Sequence, residues 1–312
     1  MNKIIDKIPL PMSGLMLGLA SVGNLLSGYG NSYKLLFGSI SGIIFVLLTI
    51  KITINTKSVL KELDNPVVAS VFPTYFMGAM ILSTYLKSIS AGIAYIMWIV
   101  AIVLHISYLL YFTKKHILNY DIKKVFPSWF IVYVGVVVAS VTSPAYSQQG
   151  FGKIIFWFGL ISLLLLLPIV IKRINKVEIP QPAQPTIAIL CAPISLLLAG
   201  YLNTSIDKNL MVVLVLLVFS QLAYVYVIIN LPKLLKLKFY PSFAAFTFPL
   251  VISAISIKGA TNLLKSSGYD IILLNYLAQL EEVLAVLIVV YVLFRYLIFL
   301  NAESRELKKA IN

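Results

Sequence analysis

Ten long stretches of this sequence contain almost no charged residues, and this pattern limits the chain to the interior of a membrane. A helix needs roughly 20 mostly apolar residues to cross a bilayer core. Only the last stretch contains acidic residues within it, Glu281 and Glu282. Charged residues make up 12% of the chain, against about 25% in a soluble domain. We therefore exclude a soluble globular fold, and the 60% hydrophobic content excludes a disordered chain.

The fold class that follows is an all-α integral membrane protein with a single transmembrane domain over residues 1–312. The short loops between the apolar stretches leave no room for a second domain. Ten transmembrane helices are predicted, at approximately 9–28, 35–54, 67–86, 90–113, 125–144, 151–172, 184–203, 208–230, 240–258 and 270–299.

The basic residues predict the orientation of this bundle. When the N-terminus and every second loop are assigned to one side, that side holds 19 of the 25 Lys and Arg residues and the other side holds 6. Cytoplasmic loops carry the excess of Lys and Arg. We therefore expect a multi-pass protein of the bacterial plasma membrane with both termini in the cytoplasm. The net charge of +14 is attributed to orientation, and no nucleic-acid partner is expected.

A short motif recurs at the start of the odd-numbered spans. It consists of an aromatic residue, proline, a hydroxyl residue and a second aromatic residue: Phe72-Pro73-Thr74-Tyr75, Phe126-Pro127-Ser128-Trp129 and Tyr240-Pro241-Ser242-Phe243. Weaker versions, Pro11-Met12-Ser13 and Pro193-Ile194-Ser195, belong to the first and seventh spans. Recurrence at a fixed period indicates a repeat architecture, so we predict five helical hairpins, each beginning with a proline-bearing helix.

These prolines predict which helices lie inside. Proline removes a backbone hydrogen bond from a helix, and lipid cannot satisfy the freed carbonyl, whereas a neighbouring helix or a water-lined cavity can. We expect the five odd helices to form an inner ring around a partly polar axis, and the five even helices to form an outer ring. The alternative is that the prolines only mark helix starts, where proline is tolerated. Gly14 and Gly18 form a G-x-x-x-G spacing, repeated by Gly38 and Gly42, which is typical of close helix packing.

Two acidic residues lie inside the tenth predicted span, where a charge at mid-bilayer costs about 2.5–3.5 kcal/mol. Glu281 and Glu282 are adjacent and point about 100° apart on a helix, so they cannot share a face. One interpretation is that they are proton-coupling carboxylates. The other is a contact between helices or between subunits.

The sequence contains no motif of enzymatic chemistry. It lacks a phosphate-binding lysine loop and a H-E-x-x-H zinc motif, and its one cysteine, Cys191, excludes an internal disulfide and a thiolate metal cluster. We therefore expect no catalytic residue, no cofactor and no metal site.

The proline-marked odd helices, Asn65-Pro66 with Phe72-Pro73, and Phe246-Thr247-Phe248-Pro249 resemble the tellurite-resistance/dicarboxylate transporter family. This family includes the bacterial protein TehA and is related to the slow anion channels of plant guard cells. The resemblance implies a homotrimer in which each subunit has its own pore, surrounded by the five odd helices. It also implies that Phe248 plugs this pore midway, although a phenylalanine can equally pack a helix interface.

The function implied by the resemblance is an anion channel or a channel-like transporter that passes small inorganic anions through the lipid bilayer. The alternative is a proton-coupled carrier for C4-dicarboxylates such as malate, or for oxyanions such as tellurite and sulfite. A scaffold without flux has no need of bent inner helices. Hydroxyls could strip part of an anion's hydration without trapping it, or could bond to carbonyls of their own helices. The candidate pore-lining and kink residues are Pro11, Ser13, Pro73, Thr74, Pro127, Ser128, Pro193, Ser195, Thr247 and Pro249.

Overall fold

A computed structural model of the protein describes residues 5–118 and 120–309, with side chains described as far as Arg305. The described residues form helices and no strand. The main helical segments are α1 (Met12–Leu25), α2 (Asn31–Ile54), α3 (Pro66–Leu86), α4 (Ala91–Ile117), α5 (residues 129–146), α6 (Gln149–Lys176), α7 (Gln181–Thr204), α8 (Leu210–Leu235), α9 (Pro241–Ser266) and α10 (Ile272–Lys309). A short helix, Thr56–Glu62, lies between α2 and α3.

Eight of these segments are long and apolar enough to cross a membrane, namely α2, α3, α4, α6, α7, α8, α9 and α10. The other two are shorter than the predicted spans. Segment α1 has 14 α-helical residues, and its C-terminal end passes through a 3₁₀ turn to Gly30, whose φ of 153° favours glycine. Segment α5 is interrupted at Val134, beside Gly135 and a run of β-branched valines, which have low helix propensity. The ten-span count stays a prediction for α1 and α5.

The odd segments are interrupted and the even segments are largely continuous. In α3 the helix breaks at Phe72 and Pro73. In α7 and α9, 3₁₀ stretches of 11 and 6 residues, Gln181–Cys191 and Pro241–Phe246, precede the α-helix. The five prolines Pro11, Pro73, Pro127, Pro193 and Pro249 each lie within about two residues of the start of an α-helical stretch. Proline suits that position, because the first N–H groups of a helix have no intrahelical acceptor.

Burial separates the segments into two classes. In α3, α7 and α9, 78%, 78% and 83% of the apolar window is buried, whereas the value is between 28% and 33% in α2, α4, α6, α8 and α10. In α1 all residues except Asn24 are buried. The exposed faces of the even segments are apolar, as at Ile161, Leu164 and Leu165 of α6. A large exposed apolar surface of this kind suits a lipid environment.

Small residues allow the buried segments to cross closely. Segment α1 packs against α3 and α9, and α7 packs against α5 and α9. At the α1–α9 crossing, a Cβ atom added at Gly18 would lie 2.6 Å from both Cβ and Oγ1 of Thr247. Gly42, in the second G-x-x-x-G of the sequence, has no atom within 4 Å of such a Cβ. In that second spacing, close packing occurs at Gly38, where an added Cβ would overlap the Tyr85 ring, and is absent at Gly42.

We predict that Gly18→Ala lowers the stability of the folded protein by about 1–3 kcal/mol, because one methyl group forces α1 and α9 apart. The matched control, Gly42→Ala, adds the same group in open space and should leave stability unchanged or slightly raised, since alanine favours helix. Thermal unfolding of the detergent-solubilised variants measures both effects. Equal melting temperatures for the two variants would contradict this account of the crossing.

Candidate functional site

Three cavities follow one another along the odd segments, and each is lined by residues from all five of them or from the residues just before them. The N-side cavity, about 450 Å³, lies where the odd segments begin and is lined by Pro11, Pro66, Phe126, Pro182 and Pro241 among others. The C-side cavity, about 570 Å³, lies where they end and is lined by Asn24, Thr84, Thr142, Asn203 and Asn262 among others. The five odd segments therefore run in the same direction.

The central cavity lies between these two and is small and apolar. Its volume is about 30 Å³, and its lining includes Gly14, Thr74, Phe130, Pro193 and Pro249. A space of this size holds about one water molecule. It is therefore too small for a hydrated ion in this conformation.

Phe248 lies at the boundary between the central and C-side cavities, since it lines both of them. Its side chain is 5% exposed. Leu196 of α7 is the other residue that lines both cavities, and it is 2% exposed. These two apolar side chains, one from α9 and one from α7, lie where the central and C-side cavities meet.

The backbone around Phe248 is held by its neighbour Thr247. The Thr247 hydroxyl lies 2.7 Å from the carbonyl of Ala244 in its own segment and 2.9 Å from the carbonyl of Gly14 in α1. The Thr247 side chain therefore joins the start of the α-helix of α9 to a backbone carbonyl of α1. This contact fixes the α9 backbone next to Phe248 against α1.

The other predicted hydroxyls also bond within the protein. Ser195 donates to the carbonyl of Cys191 at 2.7 Å. The Ser13 and Thr74 hydroxyls lie 2.8 Å from the carbonyls of Leu10 and Val71 and 2.6 Å from each other, so one of them donates to the other hydroxyl and the other donates to its carbonyl. The hydroxyls of Ser128 and Ser70 also lie 2.6 Å apart.

Of the ten predicted pore-lining and kink residues, Thr74, Pro193 and Pro249 line the central cavity, and Pro11 lines the N-side cavity. Ser13, Pro73, Pro127, Ser128, Ser195 and Thr247 are outside the linings of the three cavities.

A buried lysine, Lys51, pairs with a residue that lines the N-side cavity. Lys51 of α2 lies 3.0 Å from the carbonyl of Asp6 and 2.5 Å from that of Ile8, and it forms an ion pair with Glu62. Glu62 lines the cavity together with Lys123 and Lys124. The Lys51 ammonium thus attaches the residues before α1 to the short helix before α3.

The C-side cavity contains one charged lining residue among the described residues, Lys258 of α9. Its Nζ lies 2.6 Å from a carboxylate oxygen of Glu282 in α10. The predicted ninth span ended at residue 258, but the α-helix continues to Ser266. Lys258 therefore lies within the α-helix and lines the cavity, whereas the sequence interpretation counted it among the loop charges.

The two glutamates of α10 have different surroundings. Glu282 pairs with Lys258. Glu281 is 2% exposed and faces Ser253 of α9 and Gln221 of α8. Both carboxylate oxygens of Glu281, the Gln221 amide nitrogen and the Ser253 hydroxyl are buried without a hydrogen bond. Buried polar groups are nearly always hydrogen-bonded, so this cluster of side chains from α8, α9 and α10 is unusual.

A family comparison identifies the chain. Residues 7–297 match the sequence model of the SLAC1 family, described as voltage-dependent anion channels. The chain belongs to this family. The match covers nearly the whole chain and confirms the predicted family resemblance. A comparison with curated proteins gives no match. As a SLAC1-family member with eight apolar helices of membrane-spanning length, the protein is a multi-pass membrane protein of the anion channel and transporter type.

Two residues of this SLAC1-family site escaped the sequence analysis. Leu196 has no distinctive chemistry, although it follows Pro193 by three residues, about one turn of helix. Lys258 follows Phe248 by ten residues in an apolar run. Its charge inside an uninterrupted helical pattern was a usable signal, because ionisable residues within a span usually have a function.

We predict that a cysteine in the C-side cavity is accessible from that side, and that one in the central cavity is shielded by Phe248 and Leu196. Asn262→Cys should react quickly with a membrane-impermeant, negatively charged methanethiosulfonate applied from the C-side. Ala245→Cys, in the central cavity, should react slowly and should accelerate when Phe248→Ala is added. Cys191 is the single native cysteine and is buried, so the unmodified protein is the background control. Equal labelling rates for Asn262→Cys and Ala245→Cys would exclude Phe248 and Leu196 as the barrier.

Proposed function

We propose that this SLAC1-family protein is an anion channel or channel-like transporter in which small anions move through the N-side, central and C-side cavities, with Phe248 as the gate. The observation that carries the proposal is that Phe248 lines both the central and the C-side cavity. The path would be open along most of its length and closed at that boundary.

The path would be surrounded by an inner ring of the five odd segments. In support, α1 contacts α3, α3 contacts α5, α5 contacts α7, α7 contacts α9, and α9 contacts α1. Each odd segment also contacts the even segment that follows it, as expected for five helical hairpins. In this arrangement the interrupted backbone of the odd segments faces protein or cavity, and continuous helices face lipid.

The proposed gate acts through an apolar constriction. Phe248, Leu196 and the other apolar residues of the central cavity leave about 30 Å³, and a narrow apolar constriction can block ions by excluding water. Movement of the Phe248 ring would widen the path without breaking a polar contact.

The proposed anion chemistry rests on amides and one ammonium rather than on the predicted hydroxyls. The hydroxyls of Ser13, Thr74 and Ser195 already bond within the protein. The C-side cavity is lined by Asn24, Asn203, Asn262 and Lys258. Its hydroxyl residues, Ser21, Ser27, Thr84 and Thr142, donate to carbonyls three or four residues earlier. Neutral amide donors can replace part of the hydration of an anion while binding it weakly enough for release.

The plasma membrane, the cytoplasmic position of both termini and the homotrimer stay predictions. In this orientation the N-side cavity faces the cytoplasm, and the exposed apolar faces of the even segments contact lipid or a second subunit. The mass of the detergent-solubilised assembly distinguishes one copy from three.

We predict that Phe248→Ala raises the basal anion current by about tenfold or more, because each 1.4 kcal/mol removed from a barrier multiplies a rate by about ten. Planar-bilayer recordings of the purified protein in symmetric chloride measure this current. Phe246→Ala is the matched control, since Phe246 belongs to the same segment, packs against Phe243 and lines none of the cavities. An unchanged current in well-folded Phe248→Ala would remove Phe248 as the gate.

The second candidate, a proton-coupled carrier for C4-dicarboxylates or oxyanions, is favoured by one observation. Glu281 is a buried carboxylate without a hydrogen bond or an ion-pair partner among the described residues, and it lies against α9, the segment of Phe248. A carboxylate in this position could carry a proton across part of the path. This candidate requires flux that depends on a proton gradient.

For the carrier we predict that a proton gradient accelerates malate uptake into proteoliposomes, and that Glu281→Gln abolishes the acceleration because its amide cannot take up the proton. Glu303→Gln removes a glutamate of a surface pair with Lys7 and should keep the acceleration. Malate uptake by the wild-type protein that is insensitive to the gradient would exclude the second candidate and favour the channel.

A further inference from the structure

We propose that Lys258 is an anion-binding residue at the edge of the C-side cavity that draws small monovalent anions into the path, and that Glu282 weakens this binding as its counter-ion. The inference deepens the proposed anion pathway and rests on it. It assigns a specific site at the opposite end of the C-side cavity from Phe248.

The position of Lys258 follows from the geometry of α9. Phe248, Ile252, Ile255 and Gly259 all line the C-side cavity and lie within about 60° of one another around the helix. Lys258 lies about 80° from Phe248 around the axis and about 15 Å beyond it along the axis. Its side chain therefore starts at the edge of the cavity-facing surface, between the cavity and α10.

The contacts of Lys258 leave part of its ammonium group available to the cavity. Its Nζ lies 2.6 Å from Glu282 and 4.9 Å from the ring centroid of Tyr29. The Lys258 side chain is 35% exposed, whereas that of Glu282 is 8% exposed. An ammonium has three N–H donors, so one bond to Glu282 does not exhaust them. The buried Glu282 carboxylate binds the Lys258 ammonium from the side of α10, and Lys258 lines the cavity.

The local charge limits the chemical class of the ligand. Lys258 is the one charged residue among those that line this cavity, and Glu282 balances it at rest. An anion would therefore meet a partly neutralised cation together with the neutral amides of Asn24 and Asn262, which line the same cavity. This combination binds a single negative charge weakly, as conduction requires. A dicarboxylate would need a second cation, which the lining does not provide.

A purely structural role for the Lys258–Glu282 pair makes a different prediction. If the pair only joined α9 to α10, removal of either partner would reduce stability and leave anion affinity unchanged. If Lys258 binds anions and Glu282 opposes it, the two removals change the affinity in opposite directions. The sign of the change therefore distinguishes the two roles.

The test is the dependence of current on chloride concentration at the C-side face of a planar bilayer, in the Phe248→Ala background. We expect Lys258→Gln to raise the half-saturating chloride concentration about fivefold, and Glu282→Gln to lower it, as for one partly solvated charge. Lys258→Arg should stay close to the parent. Lys265→Gln is the matched control, since Lys265 is an exposed lysine of the same segment paired with Asp270 and lies outside the cavity.

Two further measurements distinguish loss of the binding site from misfolding of a variant and from loss of current. The double variant Lys258→Gln/Glu282→Gln leaves no unpaired charge, and its half-saturation should be above that of the parent but below that of Lys258→Gln, because the Glu282 carboxylate no longer repels the anion. Stabilisation of the purified protein by nitrate in thermal melts detects the site without flux and should need a higher nitrate concentration in Lys258→Gln. Current with unchanged half-saturation in Lys258→Gln and in the double variant overturns the inference. Lysine-dependent nitrate binding without current in any variant supports the site and overturns the proposed function.

Discussion

A membrane provides no hydrogen bonds to an interrupted helix, and the arrangement of this protein depends on that constraint. The five odd segments contain 3₁₀ stretches, breaks and prolines. Three of them, α3, α7 and α9, are mostly buried. The even segments are largely continuous helices that can face lipid because their backbone groups bond internally. The proposed path lies where the interrupted segments meet and three cavities lie between them.

Polar contacts of the neighbouring residue Thr247 support the backbone that carries Phe248. The Thr247 hydroxyl bonds the carbonyls of Ala244 and Gly14 where the α9 helix begins. The glycine lacks a side chain that would fill the central cavity. The aromatic ring that divides the cavities is thus carried on a backbone fixed by polar contacts, while its own contacts are apolar and can be rearranged. Rigid support for a movable apolar ring is a suitable construction for a gate.

Much of this architecture could be predicted from the sequence, since hydropathy and proline position are local signals. The charge-free stretches predicted ten spans, and eight of them are helices long and apolar enough to cross a membrane. Phe246-Thr247-Phe248-Pro249 supported the family assignment that the comparison shows. The short α-helical length of α1 and the breaks in α5 were less accessible, because hydropathy shows where the chain is apolar and not where its helix is interrupted. Similarly, hydroxyl residues such as Ser195 can be recognised in a sequence, but their hydrogen-bond acceptors cannot.

Lys258 shows how a local rule can assign a residue to the wrong place. The count of basic residues in loops included Lys258, although it lies within α9 and lines the C-side cavity. Counted by sequence alone, it was one of six lysines on the less basic side. Its partner Glu282 is 24 residues away, and only the packing of α9 on α10 brings the two together. The pair accounts for Glu282, whereas Glu281 remains unpaired against Ser253 and Gln221.

The reversal potential of the Phe248→Ala current shows whether the proposed path conducts anions. With a tenfold chloride gradient across a planar bilayer, we predict a reversal potential close to the chloride equilibrium value, about 59 mV in magnitude for a monovalent ion. A reversal potential of the opposite sign, at the cation equilibrium value, or one near zero would contradict it.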